Sequence, residues 1–218
     1  MRDAFHDDLD AIRVTLVDMA GLVGSAMERA TVALLTADLQ IAEEVIAADS
    51  RIDDIQHDLD ARTLMLMARQ QPVAGDLRTL VTSLRMSADL ERMGDLAHHV
   101  AKLARMRYPS TAVPPELVSI IQEMGIVVKR IIEKTALVIQ NHDIVAAVQL
   151  EKDDDEMDKL HRMLFMTLLD DSWAHGIESA IDMTLLGRYY ERCADHAVSV
   201  ARRVYFLVTG EYASELRN

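Results

Sequence analysis

Two copies of a short acidic motif in this 218-residue chain have the residue types and spacing of a cation site. Glu91 and Asp95 lie four residues apart in the stretch ADLERMGDLAHHV. Glu191 and Asp195 repeat that spacing in YYERCADHAVSV. Residues four apart share one face of a helix, so each pair would direct two carboxylates the same way. Clustered carboxylates repel one another, and a multivalent cation removes the repulsion.

A second acidic pair precedes each of these motifs. The stretch DSRID begins with Asp49 and ends with Asp53. The stretch DDEMD begins with Asp154 and ends with Asp158. Each half of the chain therefore contains one Asp-x-x-x-Asp followed by one Glu-x-x-x-Asp, which indicates an internal repeat.

The predicted turns place the two acidic pairs of each half at the same height along two adjacent antiparallel helices. If the first half reverses at Pro72, Asp53 lies beside Glu91 in an antiparallel helix pair. Asp49 then lies beside Asp95. A reversal between residues 174 and 175 has the same effect in the second half. The predicted metal ligands are Asp49, Asp53, Glu91 and Asp95 in the first half, and Asp154, Asp158, Glu191 and Asp195 in the second.

The chemistry of such a site depends on what neutralises the carboxylates. Oxygen-rich sites suit hard ions such as magnesium, calcium, manganese or ferric iron. Carboxylates on facing bundle helices also form di-iron sites, so a di-iron oxidase is an alternative. That class uses Glu-x-x-His, and the nearest match here is Asp95 with His98. A third alternative is a structural scaffold in which Arg51, Arg92 and Arg192 neutralise the acids.

The elements that would position these acids are six long amphipathic helices. Apolar residues recur every three or four positions along each segment, and the chain has only eight glycines and four prolines. We predict an all-α fold of two tandem up-down three-helix bundles, because the polar breaks between segments are short. The stretch YPSTAVPPE at residues 108–116 contains three prolines. The predicted division is residues 1–108, a linker at 109–115, and residues 116–218.

Composition excludes several classes of function. A net charge of −13 argues against nucleic acid and anionic lipid as partners. The single cysteine, Cys193, favours a reducing compartment, and no stretch is apolar for long enough to span a bilayer. We therefore expect a cytoplasmic protein. No glycine-rich phosphate loop or nucleophile–base arrangement is visible, so Ser/His/Asp catalysis finds no support in the sequence.

The repeated motifs in their context resemble the PhoU family of bacterial phosphate-uptake regulators. The similarity covers about residues 5–212, and it includes the stretch GDLRTLVTSLRMSADLERMGD. The resemblance implies a protein that is not an enzyme and that negatively regulates phosphate uptake and the phosphate-starvation response. It also implies an adaptor between the ATPase subunit of the phosphate ABC transporter and the membrane sensor histidine kinase.

The resemblance also carries implications for metals and assembly. Iron or zinc would bind the eight acidic residues named above, and the protein would form a homodimer. Membrane association would occur only through its partners. Tyr189 stands where the first repeat has Asp89, so the resemblance implies that the two metal sites differ.

Overall fold

The structure, a computed structural model, describes residues 2–212 and contains six long α-helices. The first three are α1 (Arg2–Thr36), α2 (Leu39–Gln70) and α3 (Ala74–Arg107). A short 3-10 helix (Pro115–Leu117) then leads into α4 (Val118–Asn141), α5 (Ile144–Leu168) and α6 (Gly176–Thr209). All regular secondary structure within the described residues is helical, which confirms the predicted all-α fold.

Side-chain caps and left-handed backbone conformations set several helix boundaries where the sequence predicts a turn. Asp38 caps α2 by accepting a hydrogen bond from the Ile41 amide at 3.0 Å. Asp143 caps α5 in the same way, through the amides of the next helix turn. Gln71 and His142 have left-handed backbone conformations that stop α2 and α4. These caps make the connections short and the neighbouring helices antiparallel.

The six helices form one bundle with a central layer and two outer helices. Helices α1, α3, α4 and α6 make the central layer, in which α1 contacts α4 and α3 contacts α6. Helix α2 lies outside α1 and α3, and α5 lies outside α4 and α6. The buried apolar residues of both halves belong to a single cluster. The two three-helix repeats therefore share one core, and the acidic motifs lie on the helix pairs α2–α3 and α5–α6.

Polar contacts between the repeats hold α3 against α6. The carboxylate of Asp89 on α3 accepts hydrogen bonds from Ser199 at 3.0 Å and from the Arg203 Nε at 2.7 Å. His196 Nδ1 lies 3.0 Å from the other carboxylate oxygen. Burial would raise the pKa of Asp89, but the hydrogen bonds from His196 and Arg203 outweigh burial and lower it. At the matching position of the second repeat, Tyr189 stacks on a histidine of α3 instead.

The proline-containing segment between α3 and α4 packs against the bundle. Ala112 and Val113 are buried, and Leu117 at the end of the 3-10 helix is fully buried. Arg107, at the last turn of α3, donates to Asp182 at 2.6 Å and to Glu178 at 2.6 Å on α6. No helix in residues 2–212 has both the length and the apolar character needed to cross a bilayer.

Candidate metal centre

The first candidate centre combines carboxylates from α2 and α3. Burial raises the pKa of Asp53, and the charges of Asp49 and Asp95 raise it further. Burial also raises the pKa of Glu91, followed by the charge of Asp95 and, more weakly, by the two aspartates of α2. A charge that raises the pKa of a neighbouring carboxyl group lies within electrostatic reach of that group. The structure therefore places the four acids of the first half in the same region of the α2–α3 hairpin, as the antiparallel pairing of these helices predicts.

Two basic side chains already contact this first cluster. His98 Nδ1 on α3 is hydrogen-bonded to the Asp49 carboxylate on α2. Its other ring nitrogen, Nε2, is buried and has no hydrogen-bond partner among the described residues. Arg92 donates to Asp95 at 2.7 Å and lies 3.5 Å from Glu91. The first cluster is thus partly neutralised by the protein itself.

The second candidate centre, on α5 and α6, has less compensation. The pKa of Asp154 is raised to about 7. Burial is the largest cause, and the negative charges of Asp195 and Asp158 are the next largest. Glu191 adds a smaller repulsion and is itself paired with Arg188. One carboxylate of this cluster therefore retains a proton near neutral pH. A bound cation would displace that proton, because it relieves the same repulsion.

The two clusters differ at one position of the repeat. Asp154 is the counterpart of Asp49, but the counterpart of His98 is Val198, which is buried and apolar. In the first cluster the histidine provides a hydrogen bond to the carboxylate of α2. In the second cluster no imidazole occupies the position of His98. Burial and repulsion therefore raise the pKa of Asp154 without a hydrogen bond from a histidine at that position to oppose them.

The residue types of both clusters fit a hard cation. In the present side-chain conformations, however, the acidic side chains are too far apart to bind one ion together. Carboxylate oxygens are the donors that such ions prefer, and each cluster supplies four carboxylates. Within residues 2–212, however, no three His, Cys, Asp or Glu side chains are grouped closely enough to hold a metal ion. A cation would require carboxylates to rotate toward the helix–helix groove. Once bound, it would supply charge neutralisation that crosslinks the two helices of each hairpin.

Several contacts at these clusters differ from those that the sequence predicts. Arg92 pairs with the acids as the scaffold alternative proposes, but in the second half the pairing residue is Arg188 instead of Arg192. Arg188 lies three residues before Glu191 on the same helix, so helix periodicity contained this signal. The bond between His98 and Asp49 joins two helices, and the sequence patterns do not predict it.

Comparison with known proteins decides the family. The PhoU domain family model matches residues 16–104 and, a second time, residues 121–204. The chain belongs to the PhoU family. Each match covers parts of all three helices of one repeat, so the PhoU domain occurs twice, as the duplicated acidic motifs indicate.

Individual PhoU proteins are similar over almost the whole chain. The Mycobacterium tuberculosis protein named phosphate-specific transport system accessory protein PhoU homolog 2 is 48% identical over 212 residues, covering 97% of this chain and all of that protein. PhoU homolog 1 of Mycobacterium leprae is 46% identical, with 99% of this chain and 97% of that protein covered. The crystal structure of PhoU from Pseudomonas aeruginosa is 27% identical and superposes with a TM-score of 0.85, covering 95% of this chain and all of that one.

Proposed function

We propose that this PhoU family member is a cytoplasmic, non-catalytic adaptor that represses phosphate uptake and the phosphate-starvation response when phosphate is plentiful. It binds the ATPase subunit of a phosphate ABC transporter and the sensor histidine kinase of the phosphate two-component system. The observation that carries the proposal is the near full-length similarity to proteins named as accessory proteins of phosphate-specific transport. It acts as a homodimer and reaches the membrane only through these partners.

Metal binding is the second part of the proposal. Multivalent cations, with iron or zinc as the first candidates and magnesium, manganese or calcium as the others, bind the two carboxylate clusters. Support comes from the raised pKa values of Asp53, Glu91 and Asp154, because burial first and neighbouring negative charge second raise them at the predicted ligands. The cation neutralises each cluster and fixes the outer helix of the repeat against the central layer.

A membrane pull-down tests the adaptor function. Tagged protein is expressed in its own host under abundant phosphate, and membranes are solubilised before capture. Recovery of the transporter ATPase or the sensor kinase, identified by mass spectrometry, is expected. Recovery of neither partner, under conditions in which the tagged protein is folded and abundant, would contradict the proposal.

Metal analysis of the same sample tests the second part. We expect metal in the captured wild-type protein and about half as much in the variant Glu91→Ala/Asp95→Ala, because one of the two clusters remains intact. Equal metal content in both samples would show that this cluster is not a ligand set.

A further inference from the structure

The hairpin between α5 and α6 exposes an apolar groove that none of the acidic motifs uses. Ile177, Ile181 and Leu185 lie four residues apart along α6, so their side chains form one stripe, and Ile177 is 81% exposed. Leu168 at the end of α5 and Trp173 in the turn form the opposite wall. The groove encloses a volume of about 540 Å³. Contiguous exposed apolar side chains of this kind are candidate surfaces for binding a partner.

The surroundings of this groove are acidic. Asp170 and Asp171 lie in the same turn as Trp173, and both are exposed. Hydrogen bonds from Ser172 lower the pKa of Asp170, so that carboxylate stays ionised at neutral pH. Glu178 follows Ile177 on α6 and is paired with Arg107 of α3. The two acids of the turn therefore present uncompensated negative charge beside the apolar stripe, as far as residues 2–212 are concerned.

We propose that this groove binds an amphipathic helix of a partner protein whose apolar face is flanked by lysine or arginine. The inference rests on the adaptor function proposed above and names the surface and chemistry of one contact. An apolar groove about two helix turns long receives side chains spaced at i, i+3, i+4 and i+7. The acidic turn selects a basic flank, and it guides the partner into register.

Charge complementarity is also the reason for choosing this occupant over two others. A second copy docking groove to groove would bring another apolar stripe with the same acidic turn, and so would supply no basic group for Asp170 and Asp171. An anionic membrane would be repelled by the same carboxylates. A basic amphipathic helix satisfies both the apolar stripe and its charged border.

Trp173 makes the proposal directly testable, because it is the only tryptophan in the chain and lines the groove. The probe is a synthetic amphipathic helical peptide of roughly 15 leucine and lysine residues. Two control peptides are a leucine–glutamate version of the same pattern and a scrambled leucine–lysine peptide of the same charge. Tryptophan emission of the full chain is titrated with each peptide. We expect a saturable blue shift with the first peptide only.

Variants separate groove binding from general adsorption. Ile177→Ser/Ile181→Ser removes two exposed side chains and is expected to weaken the peptide affinity about tenfold or more without loss of helical circular dichroism. Val145→Ser is the matched control, since Val145 is 77% exposed at the far end of α5. We expect its affinity to equal that of the wild type. Equal binding of the scrambled peptide, or an unchanged affinity of the groove variant, would overturn the proposal.

Two further measurements distinguish the other occupants and the underlying function. A concentration-dependent emission shift without peptide, lost in Ile177→Ser/Ile181→Ser, would assign the groove to self-association and overturn the proposal. A shift with phosphatidylglycerol vesicles but not with the peptide would assign it to lipid and overturn the proposal as well. If the membrane pull-down recovers the same partners with wild type and groove variant, the adaptor function stands and this docking surface is wrong.

Discussion

Replacing Asp154 with asparagine should stabilise the metal-free protein at pH 8. In the folded state burial, followed by the charges of Asp195 and Asp158, raises the pKa of Asp154 from 3.8 to about 7. The carboxylate is ionised at pH 8 in both the folded and the unfolded chain, but only the folded chain keeps it among other charges. Asparagine has nearly the same shape and no charge, so it removes this penalty.

The size of the effect follows from the pKa difference. A shift of one pKa unit corresponds to about 1.4 kcal/mol, so the rise of Asp154 sets a ceiling of roughly 4 kcal/mol. The side chain is only half-buried, and screening by solvent reduces the effect to about 2 kcal/mol.

The pH dependence has a definite sign. Below the ordinary aspartate pKa of 3.8 both states hold the proton, and the substitution changes little. As the pH rises from about 4 to 7, the unfolded chain ionises first, and the wild type progressively loses stability relative to the variant. Above the folded-state pKa of about 7 the difference reaches its full value.

Urea unfolding followed by circular dichroism, with a chelator present, measures the free energy of unfolding at pH 4, 6 and 8. Asp49→Asn is the matched control, because Asp49 occupies the same position in the first repeat but is bonded to His98. Asp49→Asn also removes repulsion among the carboxylates, but it weakens the hydrogen bond to His98. Its gain in the free energy of unfolding at pH 8 should therefore be less than half that of Asp154→Asn. The reasoning would be refuted if Asp154→Asn were no more stable than the wild type at pH 8. It would also be refuted if the difference in the free energy of unfolding between the two proteins did not change with pH.

Other substitutions and conditions have equally defined outcomes. Adding manganese or zinc at pH 8 should raise the thermal midpoint of the wild type more than that of Asp154→Asn, measured by differential scanning fluorimetry; an equal rise would place the metal elsewhere. Asp89→Ala should cost about 3 kcal/mol in urea unfolding at pH 7, because it removes a buried carboxylate from three partly buried donors of α6, and the loss should shrink as the pH falls through the lowered pKa of Asp89. Gly187→Ala should destabilise by about 1–3 kcal/mol, since its new Cβ would overlap the Leu164 side chain at Cδ2. Gly21→Ala, on an open stretch of α1, should stabilise by about 0.5–1 kcal/mol in the same assay, and equal effects of the two glycine changes would contradict the packing.

Local signals in the sequence predicted the helices and their turns. Asp38 and Asp143 are short acidic residues immediately before apolar helical patterns, and both cap a helix. The reversal near Pro72 follows from its missing amide, and counting residues outward from that turn gives the relative levels of Asp49 and Asp95. Such features depend on neighbouring residues, so a single sequence contains them.

Local sequence signals do not predict the contacts between the two repeats. The bonds from His196 and Arg203 to Asp89 depend on how α3 lies against α6, and those helices are separated by the whole linker and two other helices. Sequence periodicity identifies the buried faces of both helices but not their pairing. The bond of His98 to Asp49 depends on side-chain rotamers, which periodicity does not determine. The apolar groove at the α5–α6 turn likewise depends on which apolar side chains the packed helices leave exposed.

The most direct test of the adaptor account is reconstitution from purified parts. The protein would be mixed with the transporter ATPase subunit and the cytoplasmic portion of the sensor kinase at equal concentrations, and complexes would be weighed by sedimentation velocity. The account predicts a species that contains all three proteins and that requires this chain for its assembly. Two binary complexes that compete for the chain, with no ternary species at any ratio, would contradict bridging as its function.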